Sequence, residues 1–218
     1  MAQTTKSDDQ KLGIKILDAW AAAIDDVMEE RPDITGFWLL KAFQVKRAQT
    51  RFLPDRWAPR SSRMAARHAL DSVTCALEHP DRVVLTSIFM PNEIFQCLGL
   101  HPLIAEAAAN FVAGAHAESA FIESAEKSGI PETYCSFHKV LLGGALAGVL
   151  APPRLIANCS VACDANNLSF RLLADRYGCP QSYIDVPAEY TEEGCAYVAD
   201  QLRDLEARLC EVYGGSVD

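Results

Sequence analysis

The chain has 218 residues, half of them hydrophobic, with a formal net charge of −9 and a pI near 5.0. That length allows one sizeable core and is short for two full domains, while the acidic balance argues against nucleic-acid binding, which needs clustered Lys and Arg. No uninterrupted apolar run reaches the ~18 residues of a spanning helix, and the polar start MAQTTKSDDQK lacks an apolar signal core, so the expectation is a cytoplasmic protein with no membrane partner.

Residues 11–31 are predicted to form an amphipathic helix, with Leu12, Ile14, Ile16, Leu17, Trp20, Ile24 and Val27 near a 3.6 period and Pro32 ending it. A second helix is expected from Gly36 to about Arg47. An irregular connection carrying Pro54 and Pro59 follows. A third helix, capped by Ser61 or Ser62, runs to Glu78 and stops at His79-Pro80. Residues 1–80 thus read as a helical N-terminal region and 81–218 as an α/β domain. In the latter, RVVLTSI (82–88) is a buried strand by its β-branched content. Pro91 suits a first helical turn, and a short helix from Glu93 to Leu98 stops at Gly99. Helices are expected over 102–115 and 117–127, a short strand over 133–136, and a Gly-rich helix over 138–150. A strand over 154–158, a helix over 163–177, a strand over 182–186 and a long helix over 191–213 complete the pattern. Strands alternating with helices predict an α/β fold, a three-layer parallel sheet of Rossmann/flavodoxin-like type behind the helical lead-in.

Eight cysteines stand at 75, 97, 135, 159, 163, 179, 195 and 210. Without a secretory signal or regular spacing they do not read as a disulfide framework, and most are expected to be small buried hydrophobes. Cys135 lies in PETYCSFHK and Cys163 in LIANCSVACDANN, with 27 residues between them, enough for one helix and one strand. Two thiols at adjacent strand ends suit a metal cluster whose other ligands come from elsewhere. Of the Cys159/Cys163 pair, Cys163 is the better ligand, because Asp164 can cap the next helix and a helix N-terminus favours the thiolate; the plain alternative is a small residue at a tight turn. Gly143, Gly144 and Gly148 cost about 1 kcal/mol each inside a helix relative to Ala, so they require close packing against a sheet, a bulky ligand or a neighbouring subunit. Glu93 lies past the end of the first core strand, where parallel α/β proteins bind ligands. It either orients a substrate or contacts a cluster, or is a solvated first-turn Glu favoured by the helix dipole. His138 and His101 read as structural. Neither phosphate-binding glycine motif nor nucleophile elbow is present.

With these residues in place, SIFMPNEIFQCLGLHP, ETYCSFHKVLLGGALAG and PPRLIANCSVACDANNLSFRLLADRYGCPQSYIDVP resemble, in order and spacing, segments of the 2-hydroxyglutaryl-CoA dehydratase D-component family. The resemblance spans about residues 83–213. It implies an α/β subunit of a 2-hydroxyacyl-CoA dehydratase, with a [4Fe–4S] cluster bound through three cysteines, of which Cys135 and Cys163 match the first two. It further implies a sister dehydratase subunit, an ATP-dependent activator protein as electron donor, and an acyl-CoA substrate that loses water by a radical route. Glu93 and Ser136 are then the candidate catalytic residues, with Asn158 offering a hydrogen bond in the same cleft. Family subunits carry a second α/β domain that supplies the third cysteine, so this chain is expected to be the N-terminal part. The related benzoyl-CoA reductase subunits, and a non-catalytic α/β assembly module that has lost the cluster, are the alternatives.

Overall fold

The computed structural model describes residues 2–28, 30–53, 57–161 and 163–215, and side chains at residue 14 and beyond except 16. The expected apolar positions Leu12 and Ile16, and the connection at Pro54, lie outside them. The chain divides into two compact units, one of Met1–Trp38 with Ala109–Leu150 and one of Leu39–Ala108 with Ala151–Asp218.

In chain order the elements are α1 (Ala2–Val27), α2 (Pro32–Phe52), α3 (Arg60–Glu78), β1 (Val83–Thr86), α4 (Glu93–Cys97), β2 (His101–Ile104) and α5 (Ala105–Gly114). These are followed by α6 (Glu118–Lys127), α7 (Ser136–Leu146), β3 (Leu155–Cys159), α8 (Asp164–Tyr177), β4 (Gln181–Ile184) and α9 (Glu192–Tyr213). The first unit is built from helices. Pro32 opens α2 instead of ending the helix before it, as its fixed φ permits at a first turn. The close contact there is between α6 and α7. A Cβ on Gly143 would lie 1.8 Å from the Phe121 carbonyl oxygen, and one on Gly144 would lie 3.2 Å from the Phe121 ring. Gly143 and Gly144 therefore serve helix–helix packing and not packing on a sheet, while Gly148 lies past the end of α7 at φ +80° and is not inside a helix. Lys139, nearly buried, donates to Glu126 Oε1 at 2.6 Å and to the Glu132 carbonyl at 2.9 Å, tying the start of α7 to the end of α6.

The second unit holds the sheet, all parallel, in the order β2-β1-β3-β4. This α/β architecture is the three-layer parallel arrangement expected from the alternating pattern. Alternation along β3 sends Leu155, Ala157 and Cys159 to one face, where they pack with Val84, Phe95 of α4, and Leu205 and Leu209 of α9. The opposite face meets α8, where Asn158 donates to Asn167 at 3.2 Å. Thr191 caps α9 by accepting from the Gly194 N–H at 3.0 Å, and Tyr213 at its far end donates to the Val83 carbonyl.

Two expected elements differ. Residues 101–104 form the edge strand β2 and not the start of a helix; Pro102 lacks an N–H, which an edge strand tolerates, and its carbonyl accepts from Ser72 at 2.8 Å. Residues 133–136 form no strand, so Cys135 stands at the N-cap of α7 and not at a strand end.

The α6–α7 contact gives a stability test by denaturant unfolding. Gly143→Ala is expected to lose about 3 kcal/mol, because a methyl group must displace backbone. Gly178→Ala, at φ +61° with open space around it, is expected to lose about 1 kcal/mol from the left-handed conformation alone. Equal losses would contradict the packing argument.

Candidate functional site

The chain runs from β1 to β2 on one side, and β3 lies on the other side of β1. The crevice beyond the carboxyl ends of β1 and β3 is therefore a topological switch point, the place where open parallel sheets bind ligands. Three segments of the second unit meet there: the turn after β1, the start of α5 after β2, and the start of α8 after β3.

Glu106, in the first turn of α5, joins them. Its carboxylate accepts from the Ile88 backbone N–H at 3.0 Å and from Asn166 Nδ2 at 2.8 Å. Burial pushes the Glu106 carboxyl above its usual range, opposed by its hydrogen bonds to backbone N–H groups and to Asn166. Beside it, Ser87 and Asn166 are fully buried, and neither the Ser87 hydroxyl nor the Asn166 side-chain oxygen has a hydrogen-bond partner; the Asn92 side-chain oxygen, in the same turn as Ser87, also has none. Buried polar groups left unpaired cost stability, and these three belong to segments that follow the carboxyl ends of β1 and β3. The loops after these strands expose apolar side chains at Ile88, Phe89 and Val161, and the loop after β4 exposes Tyr190. The turns after β3 and β4 are tied together by Ser160 Oγ, which accepts from the Val186 N–H at 2.7 Å.

Glu93 is exposed in the first turn of α4. Cys163 is exposed at the N-cap of α8, while Cys159 is buried in the core cluster, so of that pair Cys163 alone presents its thiol to solvent. Asp164 is the first residue of α8 and not its cap, a position where the helix dipole favours a carboxylate. Glu93 and Cys163 thus both follow carboxyl ends of strands in the second unit. Cys135 and Ser136 are exposed at the start of α7 in the first unit. Asn158 does not serve the cleft as expected. Its side chain donates to Asn167 and accepts from Gln181 at 2.8 Å, because a buried carboxamide must spend its hydrogen bonds within the fold. Among the described residues no group of three or more His, Cys, Asp or Glu comes together to hold a metal ion. The three-cysteine set of a [4Fe–4S] cluster is therefore not assembled by these residues alone.

A family model described as 2-hydroxyglutaryl-CoA dehydratase, D-component, matches residues 87–218. No curated protein matches the chain. Among the described residues no helix is long and apolar enough to cross a membrane.

The raised Glu106 pKa gives a pH test with a definite sign. Below the usual value near 4.5 the carboxyl is protonated both folded and unfolded. As pH rises the unfolded chain ionises first, so this group's contribution to stability falls through the window between 4.5 and the higher folded value, then levels. Unfolding free energies of wild type and Glu106→Gln, measured from pH 4 to 7, are expected to diverge against wild type across that window. A constant difference would show that burial does not oppose ionisation here.

Proposed function

This chain belongs to the 2-hydroxyglutaryl-CoA dehydratase D-component family, and from that premise we propose that it serves as a subunit of a 2-hydroxyacyl-CoA dehydratase-type complex. The reaction proposed for that complex is elimination of water from a 2-hydroxyacyl-CoA, with a sister subunit as permanent partner and an ATP-dependent activator as electron donor. The observation that carries the reading is the extent of the match. Residues 87–218 take in Glu93, Glu106, Cys135, Ser136 and Cys163, and every loop at the carboxyl ends of the strands.

The arrangement of the second unit supports an acyl thioester at the strand-end crevice. Apolar side chains on the surrounding loops suit an acyl or pantetheine chain, and the buried polar floor suits the few directional contacts that fix orientation. Glu93 and Ser136 are the proposed substrate-facing groups. Cys135 and Cys163 are the proposed thiol contribution to a [4Fe–4S] cluster, which when bound would supply the electron chemistry. Both are exposed and stand at helix N-caps.

The test is anaerobic co-expression with the sister subunit, reconstitution, and analysis of iron and sulfide in the purified complex. The wild-type complex is expected to hold iron and the Cys135→Ala/Cys163→Ala complex to lose most of it. Equal iron in the two would remove these thiols from the assignment. A wild-type complex that assembles without iron would support a non-catalytic assembly module instead.

A further inference from the structure

Charge is unevenly spread along this acidic chain. Residues 41–67 hold eight Lys and Arg against one Asp, whereas residues 185–206 hold seven Asp and Glu against one Arg. Both stretches belong to the second unit, and the strands next to them fix where they stand. His79 stacks on His101 at the amino end of β2, and Ser72 donates to the Pro102 carbonyl, so α3 runs antiparallel to that strand. The part of α3 before Ser72, roughly 18 Å long at 1.5 Å per residue, therefore extends past the carboxyl end of the four-residue strand. Arg67 holds the end of α2 beside it, donating to the Thr50 and Arg51 carbonyls at 3.0 and 3.2 Å. On the other side, α9 begins after the carboxyl end of β4 and finishes with Tyr213 at Val83, the first residue of β1. The basic and acidic stretches thus share the carboxyl rim of the sheet, one on the β2 side and one on the β4 side.

Each stretch also exposes large apolar side chains. Phe52 and Leu53 are 76% exposed and Trp57 is 88% exposed, close in sequence to Arg51 and Arg60. Tyr190 is 95% exposed, between Glu189 and Glu192 in sequence. Apolar side chains left exposed among charges mark interaction surfaces. Six of the eight cations are Arg, and Arg with aromatic residues is what protein–protein contacts favour, whereas Lys is depleted there. We infer that the two patches are the two halves of one interface, and that its occupant is a second copy of this chain. A two-fold axis through the rim sets the basic patch of each copy on the acidic patch of the other, so every contact occurs twice and the assembly closes as a dimer. Complementary charge sets the register, and the apolar side chains supply the buried surface. The basic patch precedes the matched range 87–218, so the family assignment does not itself call for this contact.

Sedimentation velocity of the full chain reads the assembly by mass. Wild type is expected to run as a dimer at micromolar concentration. Arg51→Glu/Arg60→Glu and Glu189→Lys/Glu192→Lys are each expected to raise the dimer Kd roughly tenfold or more, because like charges then face each other at both contacts. Mixed in equal amounts, the two variants are expected to recover the dimer, since each carries the complement of the other; recovery also shows that both are folded. Phe52→Ser is expected to weaken the dimer, and mixing with either charge variant is not expected to restore it. A monomeric wild type overturns the proposal, as do charge variants that dimerise like wild type or that stay apart when mixed. A mixture that grows beyond the dimer overturns the two-fold arrangement. A wild type that is monomeric alone but loses a co-expressed sister subunit on Arg51→Glu/Arg60→Glu assigns the basic patch to that partner and not to a second copy.

Discussion

One half-buried carboxylate organises the site. Glu106 reaches from the first turn of α5 to the backbone after β1 and to the side chain at the start of α8, so three segments at the carboxyl ends of adjacent strands are bound to one group. Charged side chains are rarely buried unless their hydrogen bonds are met, and the raised pKa of Glu106 records the burial cost that its partners offset only in part. The turn carrying Ser87 and Asn92 and the helix start following Cys163 are held in common by this contact.

The sheet explains why that contact lies where a ligand would. With β1 flanked by β2 and β3, the chain leaves β1 and β3 in opposite directions, and the carboxyl ends at such a switch point are where open parallel sheets bind ligands. The far edge of the sheet is finished differently. On β4, Arg208 donates to the Gln181 carbonyl at 2.8 Å, and Gln201 bonds both the N–H and the carbonyl of Asp185 at 2.8 and 2.9 Å. Side chains of α9 thereby occupy backbone groups at both ends of β4, which discourages another strand from pairing there.

Much of this was legible in the residues, and the failures share a cause. β1 and β3 are rich in β-branched and aliphatic residues, and α9 carries a clear N-cap, so periodicity and capping located them. HPLI at 101–104 was hidden because it contains a proline and runs straight into the alanine-rich AEAAAN, whose helical signal extends back over it. Missing β2 also hid Glu106. Had that strand been recognised, an isolated acidic residue directly after its carboxyl end would have drawn notice. The short strand expected at 133–136 fails because TYCS has no neighbour in the sheet to pair with. The glycines of α7 announced a close approach, but only the fold identifies the Phe121 backbone as what approaches. Cys163 was legible as a residue at a helix start, whereas Cys135 was read into a short strand and stands at the N-cap of α7; which further group completes a ligand set is not encoded in their local sequence.

The central claim is that the crevice beyond β1 and β3, with Glu106 beneath it, is where this subunit meets its acyl thioester. Hydrogen–deuterium exchange of the chain with and without saturating 2-hydroxyglutaryl-CoA tests it directly. The account expects slowed exchange at residues 87–93 and 163–168, with little change along α3 and the body of α9. Protection confined to other segments, with those two unaffected, would contradict it.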